Sequence, residues 1–573
     1  MTSDALLDPV PVVSGESDLW CTYAAVRTLR WLDRTADLPD PGAVAGFLAS
    51  RRNADGGYAW SAGMNSDAWA TYYCTQAVRD LGGSVPSEAT HPSSGWVLGT
   101  HNPDGGFAMT PGQASDVWAT YYAVRTLVEV HGETPPESVL GWLGGLQAAD
   151  GGLTWSPAHA VGGTSDVRAC YYAITAWSTM TGGTGPLPWD RERLLGWLRG
   201  KQGASGGFTF QDGDGTDCLW ATFRATSALR RLGADPRDRD GCVAWIRGRL
   251  AADGSFTRWP GYPVQDVWAA FCGVGSLREL GDDTRDLADR VVRAVLSFRV
   301  GSGGFTYRDP RRAADVLTTS AHLLSGRLGE ADRHRALRWM GSCVLPNEDG
   351  VMYMPGRGSE VRCTLWALSA GALAEDGAAL ARVGDWLVTS IQNPDGGFGY
   401  WEGRASDVVS TCAAAEVLHL VGEEPGTPVM KALAGFAASC EVAPGEFANV
   451  PGGSPALRPT LQALRALRRA GAADAGAAAA ALERHRVRGG GFANEGRRLP
   501  DLLSTYEAVL TADAFGLEVD LDHLRRFVDR VRVGAGSAWT PLVRVSGGPL
   551  ADCLGARLDL RLAGEPLPAL TIS

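Results

Sequence analysis

Residues 115–127 read SDVWATYYAVRTL and follow directly on a loop reading DGGFAMTPGQA. The same phrase stands at Ser17 as SDLWCTYAAVRTL and at Ser66 as SDAWATYYCTQAV, and it returns in altered form to the end of the chain. Helix starts are expected at Asp18, Asp67, Asp116, Asp166, Asp217, Asp266, Asp315, Glu360, Asp407, Ala456, Asp501 and Asp552. These mark twelve units at intervals of about 45–51 residues, an internal repeat that decides the fold. A second phrase precedes most of them, as in WLGGLQAADGGL (142–153), WLRGKQGASGGF (197–208), WLVTSIQNPDGGF (386–398) and the altered LSFRVGSGGF (296–305).

Each unit therefore predicts an outer amphipathic helix, a DGGF turn and a second helix opened by Ser-Asp. The glycines supply the positive φ that ends the first helix. The Asp accepts backbone N–H groups at the start of the second and suits the positive end of its dipole. That second helix is apolar nearly all round, hence buried, whereas the first carries an Arg- and Asp-rich face. Stacked hairpins of this kind close into an all-α toroid, and twelve of them predict two six-hairpin α/α barrels.

Composition bounds the function. The chain has 573 residues, 45% hydrophobic and 20% charged, as in an ordinary globular protein. A net charge of −11, with no basic run, argues against nucleic-acid binding. The 11 cysteines are scattered without framework spacing, which predicts reduced thiols and a cytoplasmic protein. The N-terminus lacks the features of a signal peptide, and no apolar run is long enough to span a membrane.

The repeated DGGFxxxPGxxSDVWxTYYAVxxL resembles the superfamily of protein prenyltransferase β subunits, squalene cyclases and class II terpene cyclases. The resemblance covers essentially the whole chain. It implies barrels around an isoprenoid cavity and, for twelve hairpins, a first barrel inserted into the second: residues 1–35 plus 290–573 as the catalytic-type barrel and 36–289 as the insert. It also implies that the residue two after the helix-start Asp performs the chemistry, as a protonating Asp in cyclases or a zinc-ligating Cys in prenyltransferases. Here that position reads Trp20, Trp69, Trp118, Arg168, Leu219, Trp268, Leu317, Arg362, Val409, Arg458, Leu503 and Leu554. None is Asp or Cys, and the nine histidines lack metal-ligand spacing, so zinc is not expected. Asp315-Val-Leu-Thr-Thr-Ser is most similar to the cyclase motif DxDDTA, with its central acid replaced by Leu317.

If the second position faces the cavity, so do the sixth and ninth, which gives Trp118/Tyr122/Arg125, Trp69/Tyr73/Gln76, Trp20/Ala24/Arg27, Arg362/Trp366/Ser369, Arg458/Gln462/Arg465 and Leu503/Glu507/Leu510. Trp20, Trp69, Trp118, Tyr122, Trp268 and Trp366 are then candidates to line an isoprenoid site, since ring faces stabilise carbocations. Arg168, Arg362 and Arg458 are candidates to hold its diphosphate, or else pair with helix-start carboxylates. Candidate acids, kept protonated by burial, are Asp315, Glu360, Glu416 and Glu507. The turn FQDGDGTD (210–217) gathers Asp212, Asp214 and Asp217, which could bind Mg²⁺ with a diphosphate. DDTRD (282–286) has the form of a magnesium motif but reads as a solvated loop and cap. The expected function is a class II-type terpenoid cyclase that cyclises a linear C15 or C20 isoprenoid diphosphate by protonation and retains the diphosphate. Alternatives are a prenyltransferase-like enzyme and a catalytically degenerate barrel that binds lipid or protein.

Overall fold

The computed structural model describes residues 15–61, 64–83, 92–345, 347–355, 357–472 and 474–571. Among these, twelve inner helices recur: α1 (Leu19–Trp31), α2 (Ala68–Asp80), α3 (Val117–Arg125), α4 (Val167–Thr181), α5 (Leu219–Arg231), α6 (Val267–Glu279), α7 (Val316–Leu324), α8 (Val361–Ser369), α9 (Val408–Leu420), α10 (Leu457–Arg469), α11 (Leu502–Phe515) and α12 (Pro549–Leu562).

One joint builds nearly every unit. Asp116 is the extended cap of α3, and its carboxylate accepts the Ala119 N–H at 2.7 Å. Four residues on, the Thr120 hydroxyl donates to the Asp116 carbonyl (2.9 Å) and accepts the Phe107 N–H of the preceding turn (3.1 Å). Asp104 of that turn accepts the Ser115 hydroxyl and the indole N–H of Trp142 on the next outer helix, Ser138–Gly144. Gly105 has φ +96°, and a Cβ on Gly106 would lie 2.6 Å from Ser115 and 2.7 Å from Trp142, so only glycines fit the turn. The first N–H of α3 donates to Trp155 of the following unit (2.9 Å), which stitches each repeat to the next.

Consecutive inner helices pack side by side, and the row closes twice: α6 returns to α1, and α12 returns to α7. The chain thus forms two compact units, dividing between Ala313 and Ala314. Each unit is a ring of six buried helices, with amphipathic helices such as Leu521–Val531 outside. All eleven cysteines are buried free thiols, and no described helix is long and apolar enough to cross a membrane.

Three sequence expectations are corrected. The expected division into 1–35 plus 290–573 and 36–289 does not hold, because α1 belongs to the first ring. Its Thr22 hydroxyl receives the Phe305 N–H (3.0 Å) and Ser17 receives the Gly304 N–H (2.9 Å). The turn at 301–305 therefore serves α1 rather than the Asp315 helix, and it closes the first ring. The cap of α5 is Cys218, not Asp217, since the Thr222 hydroxyl bonds the Cys218 carbonyl. That moves the second-position residue from Leu219 to Trp220. Helix α12 starts at Pro549 after Gly548, so Asp552 lies within its first turn.

Candidate functional site

In the first ring the second-position residues are Trp20, Trp69, Trp118, Arg168, Trp220 and Trp268, and the five tryptophans converge. Centroids lie 5.0 Å apart for Trp20–Trp69, 4.7 Å for Trp20–Trp268, 5.9 Å for Trp20–Trp220 and 5.2 Å for Trp69–Trp118. Tyr122 stacks on Trp69 at 5.7 Å with planes 8° apart. Trp20, Trp69 and Trp118 are each only 2% exposed, and Trp268 5%. An open chamber at this level would leave ring faces accessible; instead the rings fill the interior against one another.

Arg168, proposed from sequence for a diphosphate, is bound to its own helix cap. Its guanidinium meets both carboxylate oxygens of Asp166 at 2.9 and 2.8 Å and lies over Phe210 (4.5 Å). The magnesium triad is likewise not assembled. Asp212 pairs with Lys201 at 2.5 Å, and Asp214 accepts the Phe210 and Gln211 N–H groups at 2.9 and 3.1 Å. Asp217 takes the Ser205 hydroxyl. Among the described residues no group of three or more His, Cys, Asp or Glu could hold a metal ion. The Asp-Gly turn spends its carboxylates on its own backbone and neighbours, as such turns do. In DDTRD, Asp282 and Asp286 pair with Arg247, and Asp283 with Arg285.

Sequence reasoning treated Asp266 only as a cap, but the structure shows a buried acid. One carboxylate oxygen accepts the Ala269 N–H at 2.7 Å, while the other is buried without a partner. Burial pushes its carboxyl up to about 6. At the opposite ends of the helices, Arg27 forks onto Asp80 (2.7 and 2.8 Å), and Arg125 pairs with Glu129 (2.7 Å). A polar recess of about 420 Å³ opens there, lined by Arg27, Arg30, Gln76, Arg79, Asp80 and Glu129.

The second ring holds the expected acids. Asp315 caps α7, accepting the Thr318 N–H at 2.7 Å. Glu360 precedes α8 and engages Arg362 at 3.0 Å and the Cys363 thiol at 2.7 Å, so Arg362, like Arg168, serves its own helix start. Glu416 and Glu507 lie deeper, on α9 and α11, and converge on Arg465 of α10. Arg469 also binds Glu416 at 2.8 Å, and the Gln462 amide donates to Glu507 at 2.8 Å. Burial raises the Glu507 carboxyl above its usual range; the Arg465 charge opposes this and does not overcome it. The Arg458 backbone N–H donates to Asn494, its side chain lies close enough to act on the Glu507 carboxyl, and its Nε is buried without a protein partner.

A segment with no periodic signal of its own enters this interior. After α12 the chain continues without regular secondary structure, and four successive carbonyls are taken by inner-helix side chains. The Tyr506 hydroxyl donates to Pro568 (2.8 Å), Ser369 to Ala569 (2.7 Å), Arg465 to Leu570 (3.4 Å) and the Trp366 indole to Thr571 (3.1 Å). Trp366, expected to line an isoprenoid site, holds this segment instead.

Two closed rings of helical hairpins, each with its inner face gathered on aromatic and charged side chains, define an α/α toroid protein. The chain belongs to the prenyltransferase α/α toroid domain family, whose model matches residues 8–75, 62–185, 184–308, 261–438, 378–474 and 457–543. No curated protein matches the chain. Among solved structures, ent-copalyl diphosphate synthase from Streptomyces platensis is similar over 98% of both chains, at 16% identity and a TM-score of 0.40. Protein geranylgeranyltransferase-I from Candida albicans, complexed with GGPP, is similar over 48% of this chain and 86% of its own, at 13% identity and TM-score 0.38. A type II terpene cyclase from Scytonema is similar over 50% of this chain and 92% of its own, at 14% identity and TM-score 0.36.

Proposed function

We propose that the chain is a terpenoid cyclase of the class II type, which protonates a linear C15 or C20 isoprenoid diphosphate and cyclises it with the diphosphate retained. The observation that carries this is Glu507: a buried carboxyl on the interior face of the second ring, which burial raises above its usual range although Arg465 and Gln462 engage its two oxygens. In the reaction its proton goes to a carbon of the terminal alkene and leaves a tertiary cation at the neighbouring carbon. Ring closures follow as successive alkene π pairs attack the cation, and loss of a proton ends the sequence. Trp366 and Tyr506 supply ring faces for the cation, and the Arg458 guanidinium is the group we assign to the diphosphate. This reading replaces Asp315 with Glu507 as the acid, because Asp315 is a half-buried helix cap whereas Glu507 lies fully buried on the interior face. Asp212, Asp214 and Asp217 do not fit a magnesium site, and no step is assigned to one.

The test is incubation of the full chain with C15 and C20 prenyl diphosphates, with and without Mg²⁺. Cyclic products bearing an intact diphosphate are expected. Glu507→Gln should lower kcat by about 10²–10⁴-fold while leaving substrate binding measurable. A second reading, a toroid that binds a lipid or protein without turnover, is favoured by the filled ring interiors. Tight binding with no product would select it, and release of inorganic diphosphate would favour prenyl transfer.

A further inference from the structure

The second ring already contains an occupant. Its helices stand in the order α7, α8, α9, α10, α11, α12, so α8 and α11 face each other across the ring. Pro568 is held from α11, Ala569 from α8, Leu570 from α10 and Thr571 again from α8. A chain whose successive carbonyls are bonded from opposite sides crosses the middle of the ring. Leu570 is 0% exposed and Thr571 1%, so the end of the segment is enclosed, while Glu565 and Pro566 lie exposed and Leu567–Ala569 half-buried. From Leu567 to Leu570 its side chains are apolar, and the polar atoms the ring satisfies are main-chain carbonyls.

Three of the four donors are residues that the helical register places on the interior face, Trp366 and Ser369 at the sixth and ninth positions of α8 and Arg465 at the ninth of α10; the fourth, Tyr506, stands at the fifth of α11. Arg465 reaches Leu570 with the same nitrogen that binds Glu507. We propose that residues 567–571 are a displaceable plug, which occupies the chamber where a long apolar ligand binds and must leave before that ligand enters. The Leu570 side chain stands in for hydrocarbon, and the tethered carbonyls stand in for the polar contacts of the ligand. The identity of the ligand as an isoprenoid rests on the function proposed above; the plug itself does not.

A cysteine reporter tests it in the full chain. The native cysteines are all buried, and burial pushes thiols such as Cys412 up to about 12, so background labelling is slow. In Thr571→Cys, maleimide labelling at position 571 should be slow. Adding Leu570→Asp, which puts a charge where no exposure exists, should speed it at least tenfold and create binding of an apolar fluorophore, anilinonaphthalene sulfonate. Helical circular dichroism must stay unchanged in the double variant. Trp366→Phe combined with Thr571→Cys removes one tether without adding charge and should give an intermediate rate. Equal labelling rates in all three chains, or no new fluorophore binding after release, would overturn the plug. A C20 prenyl diphosphate should also accelerate labelling of the Thr571→Cys chain. If the fluorophore binds the released form but no prenyl diphosphate does, the plug stands and the isoprenoid reading falls.

Discussion

Arg465 is 1% exposed and is flanked by two carboxylates that are themselves buried. Taking such charges out of water is costly, and the cluster is tolerable only because every member is paired. Removing the cation strands Glu416 and Glu507, so Arg465→Met should cost about 3–5 kcal/mol at neutral pH. Denaturant titrations of the two chains at neutral pH would show it. Asp266 gives a second pH signature. The folded chain holds a proton up to about pH 6 that an unfolded aspartate releases near 4. Folded chains thus bind more protons than unfolded ones in that window, and stability falls as pH rises from about 4 to 6, by on the order of 2–3 kcal/mol. Asp266→Asn should flatten that slope in thermal melts at constant ionic strength.

At the level of elements, the threonine four residues after most caps joins a turn to its helix. Thr364→Val would leave the Val351 N–H, now bonded at 2.8 Å, buried and unsatisfied at a cost of about 1–3 kcal/mol. Urea unfolding would register this as a lower midpoint with an unchanged slope. These joints are why the fold could be read from the sequence: cap, threonine and DGGF turn recur with one spacing, and each is local. Where the spacing slips, reading failed. Phe208 and Thr222 lie 14 residues apart instead of the usual 13, and that extra residue hid both the Cys218 cap and Trp220. The candidate site was less legible. Helical register found the interior residues Trp366, Gln462, Arg465 and Glu507, but not what they bind. The segment at 567–571 has no periodicity, and it is held through main-chain carbonyls, which every sequence possesses. Carboxylates proposed as a metal site were turn and cap groups, because an Asp-Gly turn carries the same composition whichever role it plays.

For the whole molecule, the consequential fact is that each ring closes on itself. The first closes through a contact spanning 283 residues, Phe305 to Thr22, which no local pattern encodes. Thr22→Val should therefore raise hydrogen exchange in the ring formed by α1–α6 while leaving the protection of α8–α11 unchanged. Twelve units share one architecture, yet the two interiors differ. One is packed with tryptophan; the other carries buried acids, an arginine and a segment of its own chain. On this account the second is the chamber in which chemistry occurs, started by a proton from Glu507. The direct measurement is turnover of a C20 prenyl diphosphate in deuterium oxide, by the unmodified chain and by the Leu570→Asp chain, with products analysed by mass spectrometry and NMR. A cyclic product with one carbon-bound deuterium and an intact diphosphate is predicted, formed faster by the Leu570→Asp chain and lost in Glu507→Gln. Products without deuterium, or inorganic diphosphate released in step with turnover, would contradict it.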